Sequence, residues 1–155
     1  MKVLPAKRGY TLVEILIVVS IIGLLAGLGL PHLLTANRQS RSRIFVNDLR
    51  IASNAFTHFL LENDEYPRDK TPGRMPNGMS SYLSNFQWSE KTSIGGNWDW
   101  DFGQFGVTAA VSVYRPTWSE EEMTKIDAII DDGFLGSGNF RARSGGYMYV
   151  IEERP

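Results

Sequence analysis

The sequence has no cysteine, so no disulfide closes any of its loops and no thiolate serves as nucleophile or metal ligand. It has only two histidines, His32 and His58, which lie too far apart along one expected helix to form a local metal or acid–base pair. His58, between Thr57 and Phe59, reads as a satisfied surface histidine. There is no G-x-S-x-G and no phosphate-binding glycine loop. Catalysis is left with little to work with, and the expectation is that the chain is not an enzyme. An excess of charge of one sign is also missing. The 16 basic and 17 acidic side chains nearly balance, so no domain-wide basic field exists to grip nucleic acid, and no nucleic-acid partner is expected. No internal repeat or low-complexity tract occurs. A chain of 155 residues suits one domain plus an anchor.

What the sequence does have is concentrated near its start. Lys7 and Arg8 stand before Gly9, and an apolar run follows at once, ending at Pro31. Between Arg8 and His32 only Glu14 is charged. A carboxylate in such a run costs roughly 2.5 kcal/mol or more at a bilayer centre and marks a functional position by default. About 20 residues suffice to cross a membrane, and a spanning helix must be apolar all round, as this one is. Lys2, Lys7 and Arg8, with no acid among them, place the N-terminus in the cytoplasm and the bulk of the chain outside it. That compartment permits disulfides, yet without cysteine the head must hold together by packing or by a metal. A secretory signal carries its cleavage site after the apolar segment, whereas no A-x-A-like site follows this one.

Gly9-Tyr10-Thr11-Leu12-Val13-Glu14 resembles the N-terminal signal of type IV prepilins and type II secretion pseudopilins, with Pro31 at its matching spacing. Tyr10 stands where Phe or Met is commoner. The resemblance covers about a sixth of the chain. It implies cleavage after Gly9 by a membrane prepilin peptidase/methyltransferase and methylation of the new amino terminus on Tyr10. It implies that Glu14 meets the N-terminal amine of a neighbouring subunit, so that charge pairing sets axial register. It implies residence in the inner (cytoplasmic) membrane as a single-pass protein, then assembly with homologous pilin subunits into a periplasmic or extracellular filament. The filament is a type IV pilus or a type II secretion pseudopilus; Glu14 argues only against the tip-type pseudopilins, which lack it. Loss of residues 1–9 would leave 13 basic against 17 acidic side chains. The alternative is a ligand-binding or adhesive head on a pilin anchor, with Trp98, Trp100 and an acidic loop as its surface.

The expected fold is α+β and pilin-like: residues 1–9 a leader, 10–36 a transmembrane and filament-core helix, and 37–155 the head. The first helix is expected from about Tyr10 to Glu62, about 80 Å of helix, more than a domain of this size can cover. Gly23 and Gly27 form a GxxxG pair that lets another helix approach closely, a pattern also common in membrane helices by chance. In the family resembled, the glycine-to-proline stretch Gly23–Pro31 can unwind in the filament. Beyond Pro31, Phe45, Leu49, Ala52, Phe56 and Phe59 or Leu60 recur along one face of an amphipathic helix. Tyr66-Pro67 ends it, and residues 67–78 read as a surface loop. Ser80–Phe86 is expected as a short helical turn with Tyr82, Leu83 and Phe86 inward. Asn97–Phe102 alternates aromatic with small polar residues like a half-buried strand, which points Trp98, Trp100 and Phe102 inward and Asp99 and Asp101 into water. A carbohydrate platform is the sharper alternative for the tryptophans. Thr108–Tyr114 is a second strand. Ser119-Glu120-Glu121-Glu122 has the form of a capping box. The stripe Met123, Ile126, Ile129 and Ile130 follows, with Gly133 as the stop. Ser144-Gly145-Gly146 joins two strands of a hairpin, completing a small antiparallel sheet.

One candidate metal site follows. Asp131-Asp132-Gly133, with Ser137 and Asn139 downstream, offers hard oxygen donors of the kind calcium prefers, though not at EF-hand spacing. Some pseudopilins bind calcium in a C-terminal loop, so the resemblance favours Asp131, Asp132 and Asn139 as ligands. Acids at a helix end are otherwise simply solvated. No cofactor is expected to be required beyond this possible calcium.

Overall fold

The computed structural model describes residues 9–155, with the side chains of residues 28–31 left out; the leader basic residues and the Pro31 side chain therefore lie outside the described residues. The elements are α1 (Leu12–Asn63), β1 (Asn97–Phe102), β2 (Val107–Tyr114), α2 (Glu120–Ile130), β3 (Phe140–Arg143) and β4 (Gly146–Glu153). Two compact units divide between Gln39 and Ser40.

In the first unit, α1 begins at Leu12. Every described side chain from 9 to 27 and from 32 to 39 is exposed. Leu, Ile and Val occupy all sides, so no one stripe faces protein, and a helix apolar all round is a membrane or deep-core helix. By length and composition α1 is long and apolar enough to cross a membrane.

In the second unit the stripe on α1 finds its partner. Phe45, Leu49, Ala52 and Phe56 are buried, while Arg41, Arg43, Asn47 and Arg50 remain exposed. The opposing surface is one antiparallel sheet with strand order β1-β2-β4-β3. Alternation in β1 turns Trp98 and Trp100 onto α1: Phe45 stacks on Trp98 with centroids 5.5 Å apart, and Phe56 lies parallel to Trp100 at 3.7 Å. Trp88 meets Phe56 edge-on, and Met79, Leu83 and Ile94 from the long 64–96 connection fill the space between. The buried indole N–H of Trp100 donates to the Pro67 carbonyl at 2.9 Å, which fixes the start of that connection. Residues 77–85 form successive turns with one helix-type bond, Leu83 N–H to Met79 O, and turn Leu83 inward as expected.

Helix α2 starts with the expected capping box, the Ser119 hydroxyl accepting from the Glu122 N–H and the Glu122 side chain accepting from the Ser119 N–H. Its buried face differs from the expected stripe. Met123, Ile126 and Asp127 are buried, Ile130 packs at the margin, and Ile129 is half exposed. Positions 123, 126, 127 and 130 follow the i, i+3, i+4, i+7 rule, so the helix geometry puts the aspartate inside and Ile129 outside. The helix ends at Ile130, short of Gly133.

Phe56 touches two tryptophans and is fully buried. Phe56→Ala is expected to destabilise the head by about 3–5 kcal/mol. Urea denaturation followed by tryptophan fluorescence measures this; a loss below ~1 kcal/mol would mean that the cavity collapses or that the stack contributes little.

Candidate functional site

Three places carry chemistry: the start of α1, the loop after α2, and the face of the sheet turned away from α1. At the first, Thr11 and Glu14 form a second capping box that the sequence reading passed over. The Thr11 N–H and hydroxyl donate to Glu14 Oε2 at 2.7 and 2.9 Å, and Thr11 Oγ1 accepts the Glu14 N–H at 3.2 Å. Thr-x-x-Glu ahead of an apolar run is the signature, and it stands in the sequence. Glu14 is therefore held within its own chain. Gly9 and Tyr10 are exposed just before the helix, and a Cβ on Gly9, Gly23 or Gly27 would meet nothing within 4 Å.

In the loop after α2, Asp132 accepts from the Phe134 N–H at 2.8 Å and from the Ser137 hydroxyl at 2.7 Å; the Ser137 hydroxyl, then the Phe134 N–H, hold its carboxyl below the usual aspartate range. Asp131 accepts the Asn139 backbone N–H. Asn139 thus meets Asp131 through its main chain. The residue that sequence reasoning missed is Asp127, fully buried one turn earlier. No hydrogen bond of ordinary geometry reaches either of its oxygens, although the Phe134 N–H and the Asp132 carboxyl lie nearby. Burial pushes its carboxyl up, and the charges of Asp132 and Asp131 push it further. Among the described residues no three acidic or histidine side chains are arranged to hold a metal.

The sheet face away from α1 overturns an expectation. Asp99 and Asp101 are not in water but 5% and 3% exposed. Arg143 Nη2 donates to Asp99 Oδ2 at 2.6 Å, and its Nε lies 2.9 Å from Asp101 Oδ2. The Ser112 hydroxyl donates to Asp101, and the Trp100 N–H to Asp99 Oδ1 at 3.1 Å. Period two predicts which face these acids occupy but not what covers it. Arg143 sits at the end of β3, with β2 and β4 lying between it and β1, and reaches β1 where Gly146 pairs with both Arg143 and Tyr114. A Cβ at Gly146 would come within 2.0 Å of the Val113 carbonyl oxygen, so only glycine fits there. The guanidinium lies over the Phe105 ring, 4.6 Å from its centroid. The carbohydrate-platform alternative fails on the same strand. Trp98 and Trp100, 3% and 1% exposed, have their faces stacked on phenylalanines and offer no surface to a sugar.

A long N-terminal helix whose second half packs on a four-stranded antiparallel sheet defines a pilin-like α+β fold. The structure is similar to that of the major type IV pilin PilA1 from Clostridium difficile, with a TM-score of 0.51 at 15% identity, covering 77% of this chain and 98% of that one. Residues 4–30 match the family model for the prokaryotic N-terminal methylation motif, so the chain carries a prepilin-type start on a pilin-like fold. It is 36% identical over 67 residues to the type II secretion system core protein G of Escherichia coli, covering 43% of this chain and 46% of that protein. It is 36% identical over 62 residues to the type IV major pilin protein PilA of Myxococcus xanthus, covering 40% of this chain and 28% of that protein. The chain spans less than half the length of these curated relatives.

Arg143→Leu removes the only cation bonded to two buried carboxylates among the described residues. Breaking a buried pair from one side is expected to cost about 3–5 kcal/mol. Arg143→Lys, which keeps the charge but loses the fork, is expected to recover part of it. Denaturant midpoints of the three proteins check the order.

Proposed function

We propose that this chain is a structural subunit of a type IV pilus-like or type II secretion pseudopilus filament, and that it acts by assembly and not by catalysis. The observation that carries this reading is the methylation-motif match over residues 4–30, which covers most of an α1 half that its own chain leaves bare. An apolar surface of that extent needs lipid or other helices around it. In this reading the subunit waits in the inner membrane with its head outside the cytoplasm, and a prepilin peptidase cuts after Gly9 and methylates Tyr10. Extraction into a bundle of homologous subunits then moves Glu14 from its own Thr11 to the Tyr10 amine of a neighbour. A charge survives in that low-dielectric setting only when paired, so register follows from the pairing. Gly23 and Gly27, open on the helix surface, admit close helix approach, and the stretch to Pro31 is where the helix gives way on assembly.

Processing and assembly separate in two variants. Gly9→Val is expected to leave uncut precursor in the membrane, because the residue before the cut can carry no side chain. Glu14→Leu is expected to be cut normally, with its new terminus at Tyr10 by mass spectrometry, yet to be missing from sheared filaments. Wild-type incorporation of Glu14→Leu as the sole copy would overturn the register mechanism; a mature protein beginning at Met1 would overturn the processing.

We further propose calcium as a ligand of the loop after α2. Asp131, Asp132 and Asn139 carry hard oxygen donors beside the buried, unpartnered carboxylate of Asp127; since no three acids are gathered around one point among the described residues, the loop would have to draw in around the ion. Asp131 and Asp132 would exchange their loop N–H and hydroxyl partners for it, with Asn139 alongside; bound, the ion would neutralise carboxylates that otherwise repel one another. Chelator is expected to lower the melting temperature of the protein and excess calcium to restore it, and Asp127→Asn to abolish the difference. Identical melting curves with and without chelator would remove calcium from the account.

A further inference from the structure

Within the head, residues 40–63 of α1 bury one face against the sheet and leave the other to solvent. The outer face has its charges sorted by sign. Arg41, Arg43 and Arg50 stand exposed at its start, and Glu62, Asp64 and Glu65 stand exposed at and just beyond its end. None of the six has an ion-pair partner among the described residues. One turn after Arg43 and Arg50, where a carboxylate would pair along the helix, the chain has Asn47 and Asn54. Asp48 is partly buried and lines a pocket together with Lys91, so the start keeps its excess of positive charge.

The acids are placed where their own helix opposes them. The carbonyl end of a helix favours cations, yet the last turn of α1 holds no basic residue and Glu62 stands in it. Asp64 follows in the left-handed region at φ 58, where glycine or asparagine is usual. The Tyr82 hydroxyl donates to Glu62, a neutral partner that leaves the charge in place. Each end also carries apolar surface among its charges. Ile44 and Ile51 are 48% and 45% exposed beside the arginines, and Leu61 is 72% exposed beside the acids. Brought together, the two ends would bury these side chains and pair the charges around them.

We propose that the two ends are the halves of one contact between copies of this chain: Leu61, Glu62 and Glu65 at the end of α1 on one head dock on Ile44, Arg43 and Arg50 of a copy shifted along the helix axis.

Helix geometry sets the shift. Ile44 and Leu61 lie about 26 Å apart along α1, so a copy displaced by that distance brings its arginines beside the acids of its neighbour. Parallel copies with no shift would set arginine against arginine and acid against acid, so the sorting of charge selects against that register. A contact between two unlike patches of one chain does not close into a two-fold dimer; repeated with one shift, it runs on as an open row. The contact rests on the filament reading above. It adds to that reading an interaction outside the apolar half of α1, one that fixes how far neighbouring heads are offset.

The chain has no cysteine, so introduced thiols report on the contact alone. Filaments are sheared from cells producing only the full-length double variant Ile44→Cys/Leu61→Cys and treated with a short bis-maleimide. A ladder of covalent multimers is expected, since the two thiols of one chain are too far apart to be bridged. Each single variant is expected to stay monomeric, because the contact joins unlike patches. Arg43→Glu/Arg50→Glu is expected to lower the subunit in filaments about tenfold. Adding Glu62→Arg/Glu65→Arg to it is expected to restore the amount to within about twofold, which a misfolded head could not do. Filaments without a ladder, equal linking of a single variant, or no rescue by the fourfold exchange overturn the contact and leave the filament reading standing. No filaments from the wild type overturn both. If the arginine variant also leaves the membrane fraction, anionic lipid headgroups hold those arginines and the contact falls.

Discussion

Phe56 and Trp100 lie parallel 3.7 Å apart, and the strand that carries this tryptophan has both faces buried. One face supplies aromatic rings to α1; the other supplies carboxylates to Arg143. Most small sheets solvate their second face and so tolerate substitution there. Here the second face is an ion cluster whose parts come from β1, β2, β3 and a loop, so distant stretches of sequence are tied through Asn97–Phe102. Loss of Arg143 would leave two buried carboxylates without their cation.

Much of this architecture is legible in the residues because local rules agree with the global fold. The i, i+3, i+4 stripe on α1, the alternation of β1, the Ser119 box and the Ser144–Gly146 turn each point to the element that forms. The departures have one cause in common, which is that charge was read as exposure. Asp127 occupies an i+4 position on the buried face of α2, and Ile129 does not, yet hydrophobicity alone favours the isoleucine. Asp99 and Asp101 occupy the correct face of β1, but the lid over them depends on Arg143 crossing two strands above Gly146. Contacts between residues 44 apart leave no local trace.

The start of α1 is legible in a different way. Gly9, Thr11, Glu14 and the apolar run form a recognisable string, and residues 4–30 match a family model on that basis. The string says where processing and assembly are to be sought. Its Thr-x-x-Glu also signals a capping box, and the helix geometry at residues 11–14 shows the bonds of that box in place.

That bond changes the thermodynamics of the first helical turn. A glutamate with two donors already in place gains less from an amine than a bare one would, because it must first give up Thr11, whose N–H is then left unmet. In the proposed assembly, transfer between chains would be an exchange of partners, with the Thr11 donors given up offsetting part of what an amine supplies. A subunit leaving such a fibre would find its own cap at Thr11 waiting as the amine departs.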